Sequence, residues 1–474
     1  MITVSDAYKE IMESNIRPKC EPVITVSGTS NTGEEIHLEW RGKNIKSMTY
    51  KRGIDPAGRT LPYMELEWTE IYTGKFNAQN YPEKYNNIAK YMAVDLSFTQ
   101  SLGFYSTWKT IYDTLKTWAE FFTGNKTWKQ VKEETSTETI QAPRMFLEAR
   151  PTISGTTITW KAKDILYFLD EKIVKSFDAR TDGNRINPAI YLLVDARGAF
   201  LNNRPLFDVM HQSVLNASAY ANAHPAVLDR NVLLDGTVKD LLMNYLSLWN
   251  LWLTYSAADG SFSIADTYLT TVRQNFTSKT LFDYPRVTNG TDISTYNFKH
   301  YGLELDQSSA YTKTPYAYMT VQGNTIYRCD FNGYGQLAED SMVSVSDVNY
   351  ALSRTSDALR IYPMNYNSYD NILDNKAIGE SYVEDNQVNP FDKTTTTAQN
   401  RFAFLKQYFN KDCASLEFEC LANPALETGD IISVITNLYD TAGEQIQKDA
   451  LIVQLEITYN GSMKEKIIAH EVIL

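Results

Sequence analysis

Apolar and polar positions along the chain recur with two periods, and the switches between them mark its elements. Val23–Ser27 and Glu35–Trp40 alternate in strand fashion around the turn-rich stretch GTSNTG, which predicts a β-hairpin. Lys46–Arg52 is followed by Met64, Leu66 and Trp68 at period two, across a turn at Asp55-Pro56-Ala57-Gly58. Proline presets φ at the second position of such a turn, and glycine tolerates positive φ at its exit. Val94–Thr99 and Thr156–Trp160 are further strands. Leu251–Tyr255, the Asp259-Gly260 turn and Phe262–Ile264 predict a tight hairpin. Tyr318–Val321, the Gln322-Gly323-Asn324 turn and Thr325–Asp330 predict another.

Helical spacing punctuates these strands. Ser5 to Ser14 predicts a short opening helix with Ser5 as its N-cap. Trp108, Ile111, Tyr112, Leu115, Trp118, Ala119 and Phe122 form a stripe from Ser106, an N-cap, to Phe122, with Gly124 as the stop. Trp108, Trp118 and Trp128 admit a glycan or membrane contact as well as a packed helix face, and the packed face is the simpler account. Ala162, Ile165, Leu166, Leu169 and Ile173 predict a helix over Ala162–Val174. Thr237, with Asp240 three residues on, caps a helix whose apolar stripe is Val238, Leu241, Leu242, Tyr245, Leu246 and Trp249. Arg401 to Tyr408 is a short helix, and the polar stretch Asn365 to Asn400, with its run Thr394–Thr397, reads as a long loop or insertion.

The last segment has the densest strand signal. Ser415–Cys420 leads to Asn423-Pro424-Ala425-Leu426-Glu427-Thr428-Gly429-Asp430, a tight corner at the entrance of Ile431–Thr436. Leu451–Thr458 and Met463–Ala469 then form a hairpin. A two-residue loop, Asn460-Gly461, would set Glu456 against Glu465. A three-residue loop, Tyr459-Asn460-Gly461, sets Glu456 against Lys464, Gln454 against Lys466 and Thr458 against Ser462. It also pairs Ile457 with Met463, Val453 with Ile467 and Leu451 with Ala469. Each favourable pair contributes roughly 0.2–1 kcal/mol, so the three-residue loop is the expected one, with Leu455 opposite Glu465 as its misfit.

Composition narrows the function more than the fold. The chain has 474 residues, enough for about three domains by length. It carries 31 Tyr, 20 Phe and 8 Trp, which suits either tyrosine-rich strands or subunit interfaces. A net charge of −12 with no basic stripe argues against tight or sequence-specific nucleic-acid binding. The same acidity fits ordinary solubility and equally a channel through which DNA slides. Cys20, Cys329, Cys413 and Cys420 form no CxxC, and buried free thiols are expected for the close pair Cys413 and Cys420. His37, His211, His224, His300 and His470 are isolated from one another, and no HExxH or metal-ligand spacing occurs. The sequence therefore offers no catalytic, cofactor-binding or metal residue, and no enzyme activity, cofactor or metal is expected. The N-terminal stretch has neither a basic nor an apolar signal region, and no apolar run is long enough to span a membrane.

The order of these pieces resembles phage tail-tip hub proteins, the tail-associated hub of long-tailed phages and the central baseplate hub of contractile tails. NPALETGDIISV and ALIVQLEITYNGSMKEKIIA are similar to the C-terminal part of those hubs. NIKSMTYKRGIDPAGRTLPYMELEWTEI looks like their first tube-type domain, ITWKAKDILYFLDEK like its exit, and GTVKDLLMNYLSLWNLWLTYSAADGSFSI like their helix-plus-hairpin unit. Each motif alone is weak; their order and spacing over most of the chain carry the likeness. The resemblance implies an α+β, β-rich fold with tube-type β-barrel domains and an intervening helix-plus-hairpin domain. It divides the chain into a first tube-like barrel domain at 1–160 with a helical insertion near 106–128, an α+β middle domain at 161–300, a β-rich domain with a polar loop at 301–400, and a second tube-like barrel segment at 401–474. It implies a homotrimeric ring that adapts a sixfold tail tube and lines the channel for tape measure and DNA. Distal tail or tube proteins, the tape-measure protein and tip spike or fibre proteins would be its partners. Its place would be the virion tail tip, after assembly in the host cytoplasm. The chain stops at Leu474 straight after the barrel strands, so the cell-wall-cleaving domain of some relatives is not expected. A hexameric distal-tail or adaptor ring protein and a glycan-binding or glycan-cleaving tail protein are the alternatives; no carboxylate pair is singled out for the latter.

Overall fold

Period-two segments dominate the fold. The computed structural model describes residues 2–13, 19–30, 33–55, 61–71, 85, 88–101, 137–171, 173–178, 188–223, 233–265, 271–290, 293–301, 317–319, 321–322, 325–328, 341–342, 350–355, 358–363, 367–373, 380–383, 395–408 and 413–472. Helix α1 (Asp6–Glu13) precedes β1 (Cys20–Thr29), β2 (Glu35–Arg41), β3 (Ile45–Gly53), β4 (Tyr63–Ile71), β5 (Ala93–Ser101), β6 (Thr137–Gln141), β7 (Met145–Leu147), β8 (Thr152–Ser154), β9 (Thr157–Lys163) and β10 (Ile173–Asp178). Helices α2 (Pro188–Ala199) and α3 (Arg204–Ala223), strand β11 (Leu233–Thr237) and helix α4 (Val238–Leu248) follow. Next come β12 (Trp252–Tyr255), β13 (Phe262–Ala265), β14 (Val272–Phe276) and β15 (Arg286–Thr288). Further along lie β16 (Ile293–Tyr301), β17 (Ala317–Met319), β18 (Val321–Gln322), β19 (Thr325–Arg328), β20 (Ser341–Met342), β21 (Tyr350–Thr355), β22 (Ala358–Pro363), β23 (Asn367–Leu373) and β24 (Glu380–Val383). Helix α5 (Thr395–Tyr408) leads into β25 (Ser415–Leu421), β26 (Ile431–Tyr439), β27 (Gln445–Tyr459) and β28 (Met463–Glu471).

One sheet of fifteen strands organises both ends of the chain. Its order is β15-β25-β28-β27-β3-β4-β9-β7-β5-β1-β2, with β14, β26, β6 and β8 attached to members of that path. Its pairings are antiparallel apart from β14 with β26. The fold is thus α+β and β-rich, as the strand-period pattern predicts. Alternation explains which face is buried. Met64, Leu66, Trp68 and Glu70 of β4 point inward, as do Ile158, Trp160 and Ala162 of β9. Glu65, Glu67, Lys161 and Lys163 sit on the opposite, partly exposed face.

Among the described residues, three apolar clusters dominate the packing on this sheet, with a small fourth around Ile431 and Leu451. The first joins α1 (Tyr8, Ile11, Met12) to strands β1–β5 and β9, and it also takes in Ala422, Ala425, Ile457 and Tyr459 from the C-terminal segment. The second packs α2, α3 and α4 against Ile165, Leu166, Phe168, Leu169 and the β12–β13 hairpin. The third lies among β14 and β25–β28. Because the first cluster contains residues from both ends of the chain, neither end completes its core alone.

Most local expectations hold. Ser5 accepts from the Tyr8 N–H at 3.2 Å and caps α1. Thr237 accepts from the Asp240 N–H at 3.0 Å and caps α4. The β1–β2, β3–β4 and β12–β13 hairpins form with Ile24 opposite Trp40, Tyr50 opposite Leu66 and Leu253 opposite Ile264. Gly260 at the β12–β13 turn has φ +74° and lies against the Arg144 backbone, where a Cβ would collide with the carbonyl oxygen. Gly260→Ala combines that clash with left-handed strain and is expected to destabilise by roughly 1–3 kcal/mol, read as a lower thermal midpoint; an unchanged midpoint would contradict this packing.

Several expectations are corrected. Ala162–Val174 is not a helix: β9 runs through Ala162 to Lys163, a single 3₁₀ turn spans Tyr167–Glu171, and β10 begins at Ile173. Asp164 causes the break. Its carboxylate accepts from the Met64 N–H at 2.5 Å and the Tyr167 N–H at 3.0 Å, so it ends the strand and caps one tight turn. That turn alone buries Ile165, Leu166, Phe168 and Leu169, which is why the spacing imitates a helix. The stretch Asn365–Asn400 is not all loop. It contains β23, paired along β16, then β24, and α5 already starts at Thr395. A ladder is made by backbone groups, and polar side chains do not forbid it. Helices α2 and α3 are not among the predicted elements, although Leu206, Val209, Met210, Val214 and Ala217 of α3 are buried at helical spacing. Tyr318–Val321 splits between β17, which pairs with β22, and β18, which pairs with β19. The Ser106–Phe122 helix and Trp128, most of the Asp55–Gly58 turn, Cys329 and His224 lie outside the described residues.

The C-terminal hairpin has a three-residue loop, but it is Asn460-Gly461-Ser462, with Gly461 at φ 99°. Tyr459 pairs with Met463, Ile457 with Glu465, Glu456 with Lys466 and Leu455 with Ile467. The Glu456–Lys464 register is therefore displaced by two residues, which keeps Gln454 to Thr458 on their expected faces, while a bulge at Val453 sets Ile452 rather than Leu451 opposite Ala469. The Glu456–Glu465 pairing does not occur. Neighbouring strands supply the reason: β3 and β25 flank this hairpin, and charges unsatisfied within it find partners outside it.

Candidate functional site

The two ends of the chain meet where β3 pairs antiparallel with β27, from Met48 opposite Tyr459 to Gly53 opposite Gln454. This seam makes one continuous sheet from residues about four hundred positions apart, as the register shows. Its buried and exposed faces do different work.

On the buried face, Arg52 of β3 donates through both terminal nitrogens to Glu427 Oε1 at 3.4 and 3.3 Å. The two side chains are only 5% and 9% exposed. Burial opposes ionisation of Glu427, and surrounding positive charge, the Arg52 guanidinium foremost, overcomes it, holding the carboxyl below its ordinary value. Glu427 belongs to the Asn423–Asp430 corner, which closes on itself. The Glu427 N–H donates to Asp430 Oδ2 at 2.9 Å, and Gly429, at φ 94°, donates its N–H to the Ile452 carbonyl at 2.8 Å. Burial pushes Asp430 up to about 6 despite that backbone bond.

Asn423 opens the corner and ties four elements together. Tyr8 of α1 donates to its Oδ1 at 2.7 Å, and its Nδ2 donates to Gln274 of β14 at 2.6 Å. Its backbone N–H donates to Glu465 Oε2 of β28 at 2.9 Å, and its Oδ1 also accepts from the Ala425 N–H. Glu465 is fully buried, with Cys420 Sγ 3.9 Å away, and its Oε1 has no hydrogen-bond partner among the described residues. Burial raises its pKa to about 8, and the Asn423 N–H offsets only part of that.

A further buried carboxylate fastens the N-terminal strands. Glu70 accepts from Trp160 Nε1 at 3.3 Å, from the Tyr85 hydroxyl at 2.6 Å and from Trp40 Nε1. Trp68 and Trp160 stack with centroids 5.5 Å apart, and Trp40 meets both edge-on. These tryptophans are core, with no exposed face for a ligand.

The exposed face carries a row of charges that crosses the seam. Glu419 of β25 lies opposite Lys466 of β28, which lies opposite Glu456 of β27. Glu456 lies opposite Lys51 of β3, Lys51 opposite Glu65 of β4, and Glu65 opposite Lys163 of β9. Sign alternates at every strand. Ion pairs join Lys51 to Glu456 at 3.2 Å, Lys163 to Glu65, and, one step off the row, Lys466 to Glu417 at 2.5 Å and Lys161 to Glu67 at 3.3 Å. Each pair is exposed enough to be worth little alone. Together they give a wide sheet face that is near neutral on a chain of net charge −12.

The arrangement offers cohesion across the seam and a face of alternating charge. Among the described residues, no group of three or more His, Cys, Asp or Glu side chains is placed to hold a metal ion. Cys413 and Cys420 are buried free thiols, as expected, and Cys20 is a partly buried one. His37 and His470 sit on separate strands, and His211 stacks on Phe207 beside Arg197. No helix among the described residues is long and apolar enough to cross a membrane. Sequence reasoning singled out none of Arg52, Asn423, Glu427 or Glu465 as partners. The signal for the row was present: alternating-strand charges at Lys51, Glu65 and Glu67, Lys161 and Lys163, and Glu456 and Lys466.

No protein-family model matches the chain, and no curated protein matches its sequence. Solved structures do match. The 43 kDa tail protein of prophage MuSo2 from Shewanella oneidensis is similar over 95% of this chain and 98% of its own, at 10% identity and a TM-score of 0.43. The tail protein from Neisseria meningitidis MC58 covers 95% of this chain and 96% of its own, at 8% identity and a TM-score of 0.42. A chain of the Francisella PdpA–VgrG complex covers 97% of this chain and 53% of its own, at 10% identity and a TM-score of 0.42.

Proposed function

We propose that this chain is the structural hub of a phage-type tail tip, a homotrimeric ring that adapts a sixfold tail tube to a threefold tip. The observation that carries the reading is the seam. Two strand-rich units, one from each end of the chain, are fused side by side through β3 and β27 into one sheet. A subunit built this way presents two tube-type positions, so three copies present six, which is what a symmetry adapter requires. The sequence resemblance supports the same assignment, with tube-like barrels at 1–160 and 401–474 and the segments 161–300 and 301–400 between them.

In this reading the ring lines a channel for tape measure and DNA, contacts distal tail or tube proteins above and spike or fibre proteins below, and belongs to the virion tail tip. Its work is mechanical, with no catalytic step and no cofactor. The buried Arg52–Glu427 pair and the Asn423 contacts hold the two units at a fixed spacing. Native mass spectrometry of the purified full chain tests the copy number. A trimer is the expected species; a hexamer would overturn the adapter role in favour of a distal ring protein.

A further inference from the structure

Strand β27 outruns the sheet it belongs to. From Ala450 onward it pairs with β28, and from Gln454 also with β3, whereas its opening residues pair with β26. Beyond Val434, where β14 ends alongside β26, two strands remain among the described residues, joined at Ile435–Gln447 and Tyr439–Gln445. The ladder breaks between those pairs, and Thr436 fills the break. Its hydroxyl donates to the Ile446 carbonyl at 2.8 Å and accepts from the Leu438 N–H at 3.2 Å. The turn is locked as well, since Asp440 Oδ1 accepts from the Ala442 and Glu444 N–H groups at 2.9 Å. Every residue from Asn437 to Glu444 is exposed, and this arm ends in Leu438, 41% exposed, and Tyr439, 62% exposed. Tyr284, 40% exposed, joins them, its hydroxyl accepting from Gln445 Nε2 at 3.0 Å. Asp283, Asp440 and Glu444 give the apolar tip an acidic border.

A second concentration of exposed apolar groups lies on the α2–α3 hairpin. Arg197 Nη1 and His211 Nδ1, 2.9 Å apart, fix how the two helices align. Val194, Arg197 and Leu201 follow at helical spacing on α2 and just past its end, and Arg204, Asp208, His211 and Leu215 do so on α3. Val194, Leu201 and Leu215 are 37%, 69% and 49% exposed. Arg197 and Arg204 stand among them, against the carboxylate of Asp208. We propose that the arm of one copy docks on the α2–α3 face of a second copy of this chain. Apolar tip meets apolar stripe, and the acidic border meets Arg197 and Arg204, so the two surfaces match in both chemistry and charge. Both patches are exposed in the single chain, so neither covers the other there. A two-stranded ribbon is marginal in water on its own, and a locked tip docks without the cost of ordering. Different surfaces meet, so the contact runs head-to-tail and closes as a ring. The contact deepens the hub reading and rests on it for closure at three copies.

Two measurements on the full chain test this. In the first, the photo-crosslinker p-benzoylphenylalanine replaces Tyr439, and isotope-labelled and unlabelled copies are mixed before irradiation. Mass spectrometry is expected to find Tyr439 joined to a peptide within 188–223 of a different copy. In the second, Leu438→Ser and Tyr439→Ser are combined, which removes the apolar tip at two exposed positions. Self-association is expected to weaken about tenfold or more by sedimentation, with the thermal midpoint kept near that of the parent. Cross-links confined to one copy, or joined to any other part of a second copy, overturn the contact, as does a tip variant that associates like the parent. A trimer with either of those results overturns the contact and leaves the hub reading standing. A dimer cross-linked from the arm to 188–223 supports the contact and overturns the hub reading. A chain that stays monomeric at every concentration overturns both.

Discussion

Arg52→Met is expected to be the most damaging single change in the molecule. It leaves Glu427 in a site 9% exposed without the guanidinium that contributes most to keeping it ionised. Removing one partner of a buried pair costs up to roughly 3–5 kcal/mol, because the other charge stays buried without the strongest of the charges that favour it. The damage falls on the seam, since Arg52 is on β3 and Glu427 is in the corner that sets the entry of β26. Arg52→Met combined with Glu427→Leu removes both charges and is expected to recover much of the loss, as apolar replacements of buried pairs do. Denaturant midpoints of the four proteins in the cycle check this. Additive losses in the double variant would mean that the two residues act independently.

Glu465→Gln is expected to stabilise the protein at alkaline pH and to flatten its pH dependence. The Glu465 carboxyl titrates at about 8 when folded against an ordinary 4.5, because burial disfavours its charge. A folded pKa above the unfolded one means that the folded state holds the proton more tightly. The stabilising contribution is therefore complete below about 4.5 and is lost as pH rises through about 8. The total change across that window is on the order of a few kcal/mol. Glutamine stays neutral, can accept the Asn423 N–H and has nothing to ionise. Thermal midpoints should coincide near pH 5, with the variant higher near pH 9. A parent whose midpoint does not fall over that range would remove the buried, protonated carboxyl from the account.

Local features of the fold were legible in the sequence because their causes are local. The Ser5 and Thr237 caps, the Asp259-Gly260 turn and the inward alternation of Met64, Leu66 and Trp68 depend on neighbours a few residues away. The Ala162–Val174 helix failed because Asp164 takes its partners from β4, about a hundred residues back, and its apolar neighbours fill one turn rather than three. The C-terminal hairpin failed in a more instructive way. Pairing charges within two strands favoured Glu456 with Lys464. In the sheet, Glu456 has Lys466 on one side and Lys51 on the other, and the seam decides the register. Arg52 and Glu427 are separated by 375 positions, so nothing in the local pattern joins them. Asn423 was visible only as the start of a corner; its links to Tyr8, Gln274 and Glu465 exist only once both ends of the chain have met.

That meeting of the ends is the central claim, because the proposed hub role depends on one chain supplying two tube-type positions side by side. Averaged electron micrographs of end-on particles of the purified full chain test it most directly. The account predicts a ring with threefold symmetry and six similar lobes around a central hole, two from each copy. A ring with sixfold symmetry and one lobe per copy, or particles with no ring, would contradict it.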